Sequence, residues 1–101
     1  MAEERQIAVV TVRNRQGLHM RPVDMLVRAA AKYKCEISVE KAAQRVDCRS
    51  YLAMLGLGAA EGEELRLEAV GEDAGEAIAE LVGLFDGRFG EADDEAEAER
   101  A

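Results

Sequence analysis

The order of segments legible in this sequence, βαββαβα, predicts an α+β sandwich in which a four-stranded sheet is covered on one side by helices. Two observations carry it: stretches of alternating or β-branched residues at four places, and apolar stripes of helical spacing between them. Residues 6–13 read as the first strand, with β-branched Ile7, Val9, Val10, Thr11 and Val12. Both of its faces are apolar, so the pattern does not say which one packs inward. Residues 20–33 read as a helix, because Val23, Leu26, Val27 and Ala30 fall at i, i+3, i+4 and i+7. Pro22 lies in its first turn, where a missing N–H costs little, and His19 falls at or near the N-cap.

Residues 35–40 alternate cleanly, with Cys35, Ile37 and Val39 on one face of a half-buried strand. Residues 44–48 would pair with it across Lys41-Ala42-Ala43, which lacks the Gly or Asn of a tight hairpin and leaves the turn type open. Ser50 is an N-cap for a short helix reaching about Leu55, ended by Gly56 and Gly58. Residues 64–70 form the fourth strand with Leu65, Leu67 and Ala69 inward. Asp73-Ala74-Gly75-Glu76 resembles a capping box opening the last helix, whose stripe is Ile78, Leu81, Val82, Phe85 and Phe89. Gly75, Gly83 and Gly87 weaken that helix by about 1 kcal/mol each relative to Ala, so packing must hold it.

A chain of 101 residues is enough for one domain and one modest core, expected over residues 1–90. Residues 91–101 hold six acids and one base, a net −5 that leaves −3 of the total −8 for the rest. Their composition predicts a disordered acidic tail with no apolar anchor. The acidic balance argues against nucleic acid or an anionic membrane as the main partner. No apolar run reaches membrane-span length and no signal-peptide pattern opens the chain, so a cytoplasmic location is expected. Cys35 and Cys48 are too few and too far apart for a zinc motif, and in that compartment a disulfide is not expected. A single His makes a metal site equally unsupported, and no cofactor motif is present.

The chemistry gathers in Arg15-Gln16-Gly17-Leu18-His19-Met20-Arg21-Pro22, which contains the only histidine. Gly17 allows a turn that bulkier residues resist. A helix N-terminus offers free N–H donors and partial positive charge to an anion, and the Arg21 guanidinium matches phosphate oxygens. An imidazole of ordinary pKa, about 6.5, keeps a nitrogen lone pair over much of the neutral range. Nucleophile and anion site together suggest a histidine that becomes phosphorylated. Taken alone, a His at a helix start is usually only a polar cap. Hydrolysis with His19 as general base lacks support, since no accompanying acid and nucleophile are visible.

The string Gly17-Leu18-His19-x-Arg21-Pro22 resembles the active-site motif of HPr, the histidine-containing phosphocarrier of the bacterial phosphoenolpyruvate-dependent phosphotransferase system. The resemblance continues through Ser50-Tyr51-Leu52-Ala53-Met54, Leu57-Gly58, Gly62-Glu63-Glu64-Leu65 and Gly71-Glu72-Asp73, and covers residues 5–89. It implies an open-faced sandwich with an antiparallel sheet and three helices on one face. It implies phosphorylation of His19 on Nδ1, with Arg21 stabilising the phosphoryl group, Enzyme I as donor and EIIA-type domains as acceptors in sugar uptake. Such a protein is a phosphoryl carrier rather than an enzyme. Met20, Tyr51, Leu52 and Leu55 match its docking surface, and Arg28 and Arg49 would join Arg21 in a basic rim for acidic partners. Ser50 matches the serine that HPr kinase/phosphorylase modifies in some bacteria; a phosphate there would suit a helix N-terminus yet put charge inside the docking surface. The same fold also serves regulatory relatives that control other proteins instead of driving sugar import. Three residues depart from the family's usual pattern: Gln16, Met20 and Asp24. Asp24 is spaced to reach either Arg21 or Arg28 along one helix.

Overall fold

The computed structural model describes residues 4–91. Its elements are β1 (Arg5–Thr11), α1 (Met20–Ala30), β2 (Glu36–Lys41), β3 (Gln44–Asp47), α2 (Tyr51–Gly56), β4 (Glu64–Val70), α3 (Ala74–Asp86) and a short 3-10 turn, Arg88–Gly90. The sheet runs β1-β4-β2-β3 with every pair antiparallel. The expected open-faced sandwich is therefore the observed one. β4 lies between β1 and β2, and buries Leu65, Leu67 and Ala69 on the helix side. Ile37 and Val39 of β2 and Val10 of β1 share that face.

β1 had two apolar faces, and the fold chooses between them. Val10 is buried, as is Val12 just beyond the strand, whereas Ile7 and Val9 are exposed on the open face. The rest of the open face is mostly polar and charged. Glu68 is only 3% exposed there, because Arg5, Arg45 and Arg66 all pair with it and their stems cover it.

α1 buries Pro22, Val23, Leu26, Ala29 and Ala30. It stops at Ala30, three residues before the sequence periodicity suggests. The N–H groups of Lys32 and Tyr33 turn back to the Ala29 and Ala30 carbonyls in tight 3-10 fashion. Long-range groups then hold the exit: the Arg49 Nη2 donates to the carbonyls of Ala30 (2.8 Å) and Tyr33 (2.6 Å). Asp73 accepts from the N–H groups of Lys34 and Cys35 at 3.0 Å. Asp73 is thus the N-cap residue of α3 by position, yet its carboxylate caps nothing in α3. The capping box expected at 73–76 is not formed, because the α1–β2 loop offers that carboxylate two unpaired donors. The hairpin turn between β2 and β3 places Ala42 at φ +53, a left-handed conformation achieved without Gly or Asn.

α3 packs on β1 and β4 and against α1. Ile78, Leu81 and Phe85 are buried as expected and Val82 is half-buried. Phe89 is buried too, but not on the helix. α3 ends at Asp86, and Arg88 and Phe89 take φ +54 and +55, so the chain reverses and drops the Phe89 ring edge-on against Phe85, centroids 4.9 Å apart. Left-handed backbone at a residue with a Cβ costs about 1–2 kcal/mol, which burial of the ring offsets. Cys35 and Cys48 are buried free thiols, and burial pushes Cys48 up to about 12. No helix among the described residues is long and apolar enough to cross a membrane.

Phe89→Ala is expected to cost about 3 kcal/mol. Urea unfolding reads it directly, as a lowered midpoint with an unchanged slope.

Candidate functional site

The turn before α1 is built by Gly17. At φ +69 it occupies the region that disfavours side chains, and a Cβ there would lie 2.5 Å from the Ala59 carbonyl oxygen. That close approach lets the Leu18 N–H donate to the same carbonyl at 2.9 Å, while Leu18 is buried. The loop after β1 is thereby pinned to the loop after α2. Val12 adds two backbone bonds to Gly62 and Glu63, and Lys41 Nζ donates to the Leu57 and Gly58 carbonyls and pairs with Glu63. Hydrogen bonding to the Ala60 N–H, then to Lys41, holds the Glu63 carboxyl below the ordinary glutamate range.

His19 emerges from this turn as the N-cap residue of α1, in extended backbone, with a side chain one-third exposed. Its side chain makes no cap hydrogen bond. The Val23 N–H reaches the His19 carbonyl at 3.1 Å, so the N–H groups of Met20 and Arg21 are the ones left without an intrahelical acceptor. They and the positive end of the helix dipole lie at the terminus that His19 begins.

The group in contact with the ring comes from the far end of the chain. Glu91 Oε2 lies 2.6 Å from His19 Nε2 and 3.3 Å from Arg21 Nη2. Arg21 Nη2 also donates to the Phe89 carbonyl at 2.6 Å. Asn14, buried in the turn, donates from Nδ2 to Glu91 Oε1 (2.9 Å) and to the Gly17 carbonyl (2.7 Å). Burial would raise the Glu91 carboxyl, but hydrogen bonds from Asn14 and His19 and the charges of His19 and Arg21 outweigh it and hold it below the ordinary range.

The sequence reading missed Asn14 and Glu91. Glu91 reads as the first residue of an acidic tail, and nothing local distinguishes it from the acids that follow. Its partners are His19, Arg21 and Asn14, which composition cannot display. Residues 92–101, the remainder of the expected disordered tail, lie outside the described residues. The signal nearest to hand was Phe89-Gly90, a large apolar residue before a permissive one.

Of the residues assigned to docking, Met20 and Leu52 are 66% and 79% exposed, and Tyr51 and Leu55 are half-buried beside them. The Tyr51 hydroxyl leans on the Met20 carbonyl at 3.4 Å, joining α2 to the start of α1. Ser50 is exposed, and its Oγ accepts from the Ala53 N–H at 3.3 Å as an N-cap should. The arginines are placed differently. Arg28 pairs with Asp24 at 2.8 Å, so Asp24 leaves Arg21 alone, and the Arg49 guanidinium is spent on the end of α1. Among the described residues no cluster could hold a metal ion.

Comparison with known proteins shows what the chain is similar to. The family model described as "PTS HPr component phosphorylation site" matches residues 7–86. A phosphocarrier protein HPr from Neisseria meningitidis is 35% identical over 82 residues, covering 81% of this chain and 92% of that protein. A multiphosphoryl transfer protein from Haemophilus influenzae is 34% identical over 83% of this chain, which spans only 17% of its length. The crystal structure of an HPr from Thermoanaerobacter tengcongensis superposes with a TM-score of 0.83 and 36% identity, over 86% of this chain and 98% of that one.

Because Glu91 is held ionised by its neighbours, its contribution to stability is present above the ordinary glutamate range and lost as pH falls through its lower folded value. Backbone amide shifts of Gly90 and Glu91 should therefore show one acid transition. In Asn14→Ala that transition should move upward, toward the ordinary value.

Proposed function

This chain belongs to the HPr family and is a phosphocarrier of the phosphotransferase system, and on that premise we propose that His19 is the residue that carries the phosphoryl group. The observation that supports it is the N-cap position of His19, one-third exposed at a helix start where the Met20 and Arg21 N–H groups have no intrahelical acceptor. Phosphoryl transfer asks for in-line positioning and charge stabilisation more than for covalent chemistry. A phosphoryl group on Nδ1 would meet those two donors and the positive end of the α1 dipole.

Arg21 stabilises the new charge in this reading. In the unphosphorylated protein its Nη2 is held by the Phe89 carbonyl and Glu91. An incoming dianion is a stronger acceptor than a carbonyl, so the long side chain turns toward it by torsion alone. The donor is Enzyme I, and the acceptors are EIIA-type domains of sugar uptake. They dock on the exposed Met20 and Leu52 with the half-buried Tyr51 and Leu55. Residues 1–90 act as one HPr-like domain, with the acidic segment 91–101 as an appendage to it.

Ser50 is proposed as a regulatory hydroxyl for a kinase of the HPr kinase/phosphorylase type. It is exposed, sits next to Tyr51 and Leu52, and tops a helix where added negative charge is tolerated.

Incubation with Enzyme I and labelled phosphoenolpyruvate should place an acid-labile, base-stable phosphate on His19. His19→Ala should lose the label and keep its fold; undiminished labelling of that variant would refute the assignment. Ser50→Asp should slow transfer from Enzyme I with little change in melting temperature, since Asp is itself a good N-cap. Equal rates for the two proteins would remove Ser50 from the docking argument.

A further inference from the structure

The residue in contact with the reactive ring lies beyond the span that the family model matches. His19 Nε2 and Glu91 Oε2 are 2.6 Å apart. An ionised carboxylate has only acceptor atoms, so the hydrogen between them belongs to Nε2, and the neutral ring keeps its lone pair on Nδ1. Resting on the reading of His19 as phosphoryl acceptor, we propose that Glu91 is a positioning residue for the transfer, holding the Nε2 proton in place while Nδ1 attacks and later leaves.

The bookkeeping of the step shows why a carboxylate is useful there. The Nδ1 lone pair forms the Nδ1–P bond while the bond between phosphorus and the donor breaks, its electron pair staying with the donor. The His19 ring keeps its Nε2 proton and becomes a phosphoimidazolium, whose positive charge faces Glu91. On delivery the acceptor's nucleophile attacks phosphorus, the Nδ1–P pair returns to the ring, and the ring departs as neutral imidazole. Without a carboxylate the cation sheds the Nε2 proton to water. The ring would then have to depart as imidazolate, a much poorer leaving group. Glu91 thus acts on both halves of the relay by stabilising a charge that exists only during and after transfer.

Three features mark the contact as built. Asn14, 3% exposed, gives both Nδ2 hydrogens to it and to the turn that carries His19, while its Oδ1 has no hydrogen-bond partner among the described residues. A buried amide left half-satisfied is a poor way to gain stability and a good way to aim a carboxylate. Arg88 and Phe89 accept left-handed backbone to bring Glu91 back across the site, and buried Phe89 anchors that reversal. Arg21 ties the same segment down through the Phe89 carbonyl and Glu91 Oε2. Among the described residues, charged groups bonded at the ring include Glu91 from the end of the chain and, through it, Arg21 from α1.

The test uses the full chain with 15N-labelled histidine, phosphorylated by Enzyme I and phosphoenolpyruvate. The wild type is compared with Glu91→Ala, with Glu91→Gln, which keeps shape but not charge, and with Glu91→Asp. At about pH 8, well above the ordinary histidine range, the 15N spectrum of the wild-type phosphohistidine should show Nε2 still protonated. The Ala and Gln variants should show it deprotonated. Their transfer rates should fall by roughly tenfold, the order expected of one charge-assisted hydrogen bond at a partly exposed site, and Glu91→Asp should recover part of the loss. Unchanged or faster transfer in Glu91→Ala and Glu91→Gln overturns the proposal. So does slower transfer with an unaltered 15N signature, which would mean a structural role. A wild-type protein labelled somewhere other than His19 overturns the acceptor assignment itself, an outcome no Glu91 variant can imitate.

Discussion

The reactive end of this protein depends on one steric constraint, the absence of a side chain at residue 17. The Ala59 carbonyl occupies the space a Cβ would fill, and in that position it accepts the Leu18 N–H. Two loops far apart in sequence are locked together by that bond, and the chain leaves it aimed straight into α1. His19 then has nowhere to be but the N-cap, with the helix dipole beneath it. Pro22 completes the geometry, since it removes a donor that would otherwise need a partner and has its ring buried in the first turn.

A second theme is that charged side chains close the fold where backbone groups run out. Arg49 and Asp73 between them satisfy two carbonyls and two N–H groups around the end of α1. Lys41 and Glu63 do the same beneath the active loop. Each replaces a helix or strand bond that the chain, turning sharply, cannot make. An arginine beside a docking surface can therefore belong to the scaffold. Arg49 is such a case, whereas the Met20 and Leu52 side chains stand exposed. Large apolar side chains left in water are the kind of surface that partner docking covers.

Much of the fold was legible along the chain. Strand 64–70 was read to the residue, and the inward choice of Leu65, Leu67 and Ala69 followed from alternation alone. Ser50 announced itself as an N-cap, and the His-x-Arg-Pro string placed His19 at the N-cap of the first helix. The misreadings share a cause. Phe89 was placed on the α3 stripe because its spacing fits, but Gly87 ends the helix and two left-handed residues carry the ring inward by another route. Asp73 looked like the start of a capping box and was drawn instead to donors that lie about forty residues earlier in the chain.

The sequence by itself determined the element order, the burial of one face of the sheet and the place of the one histidine at a helix start. All three are written in spacings of a few residues, which backbone periodicity and local sterics make readable. Only the tertiary structure decided which face of β1 turns inward, where α1 stops, and what surrounds the His19 ring. Those outcomes rest on groups brought together across the chain: Glu91 meets His19 from 72 residues away and Asn14 from 77. No periodicity encodes a pairing at that distance. It exists because folding places the reversal at Phe89 over the turn at Gly17, where an ionised carboxylate finds an amide, an imidazole and a guanidinium already waiting.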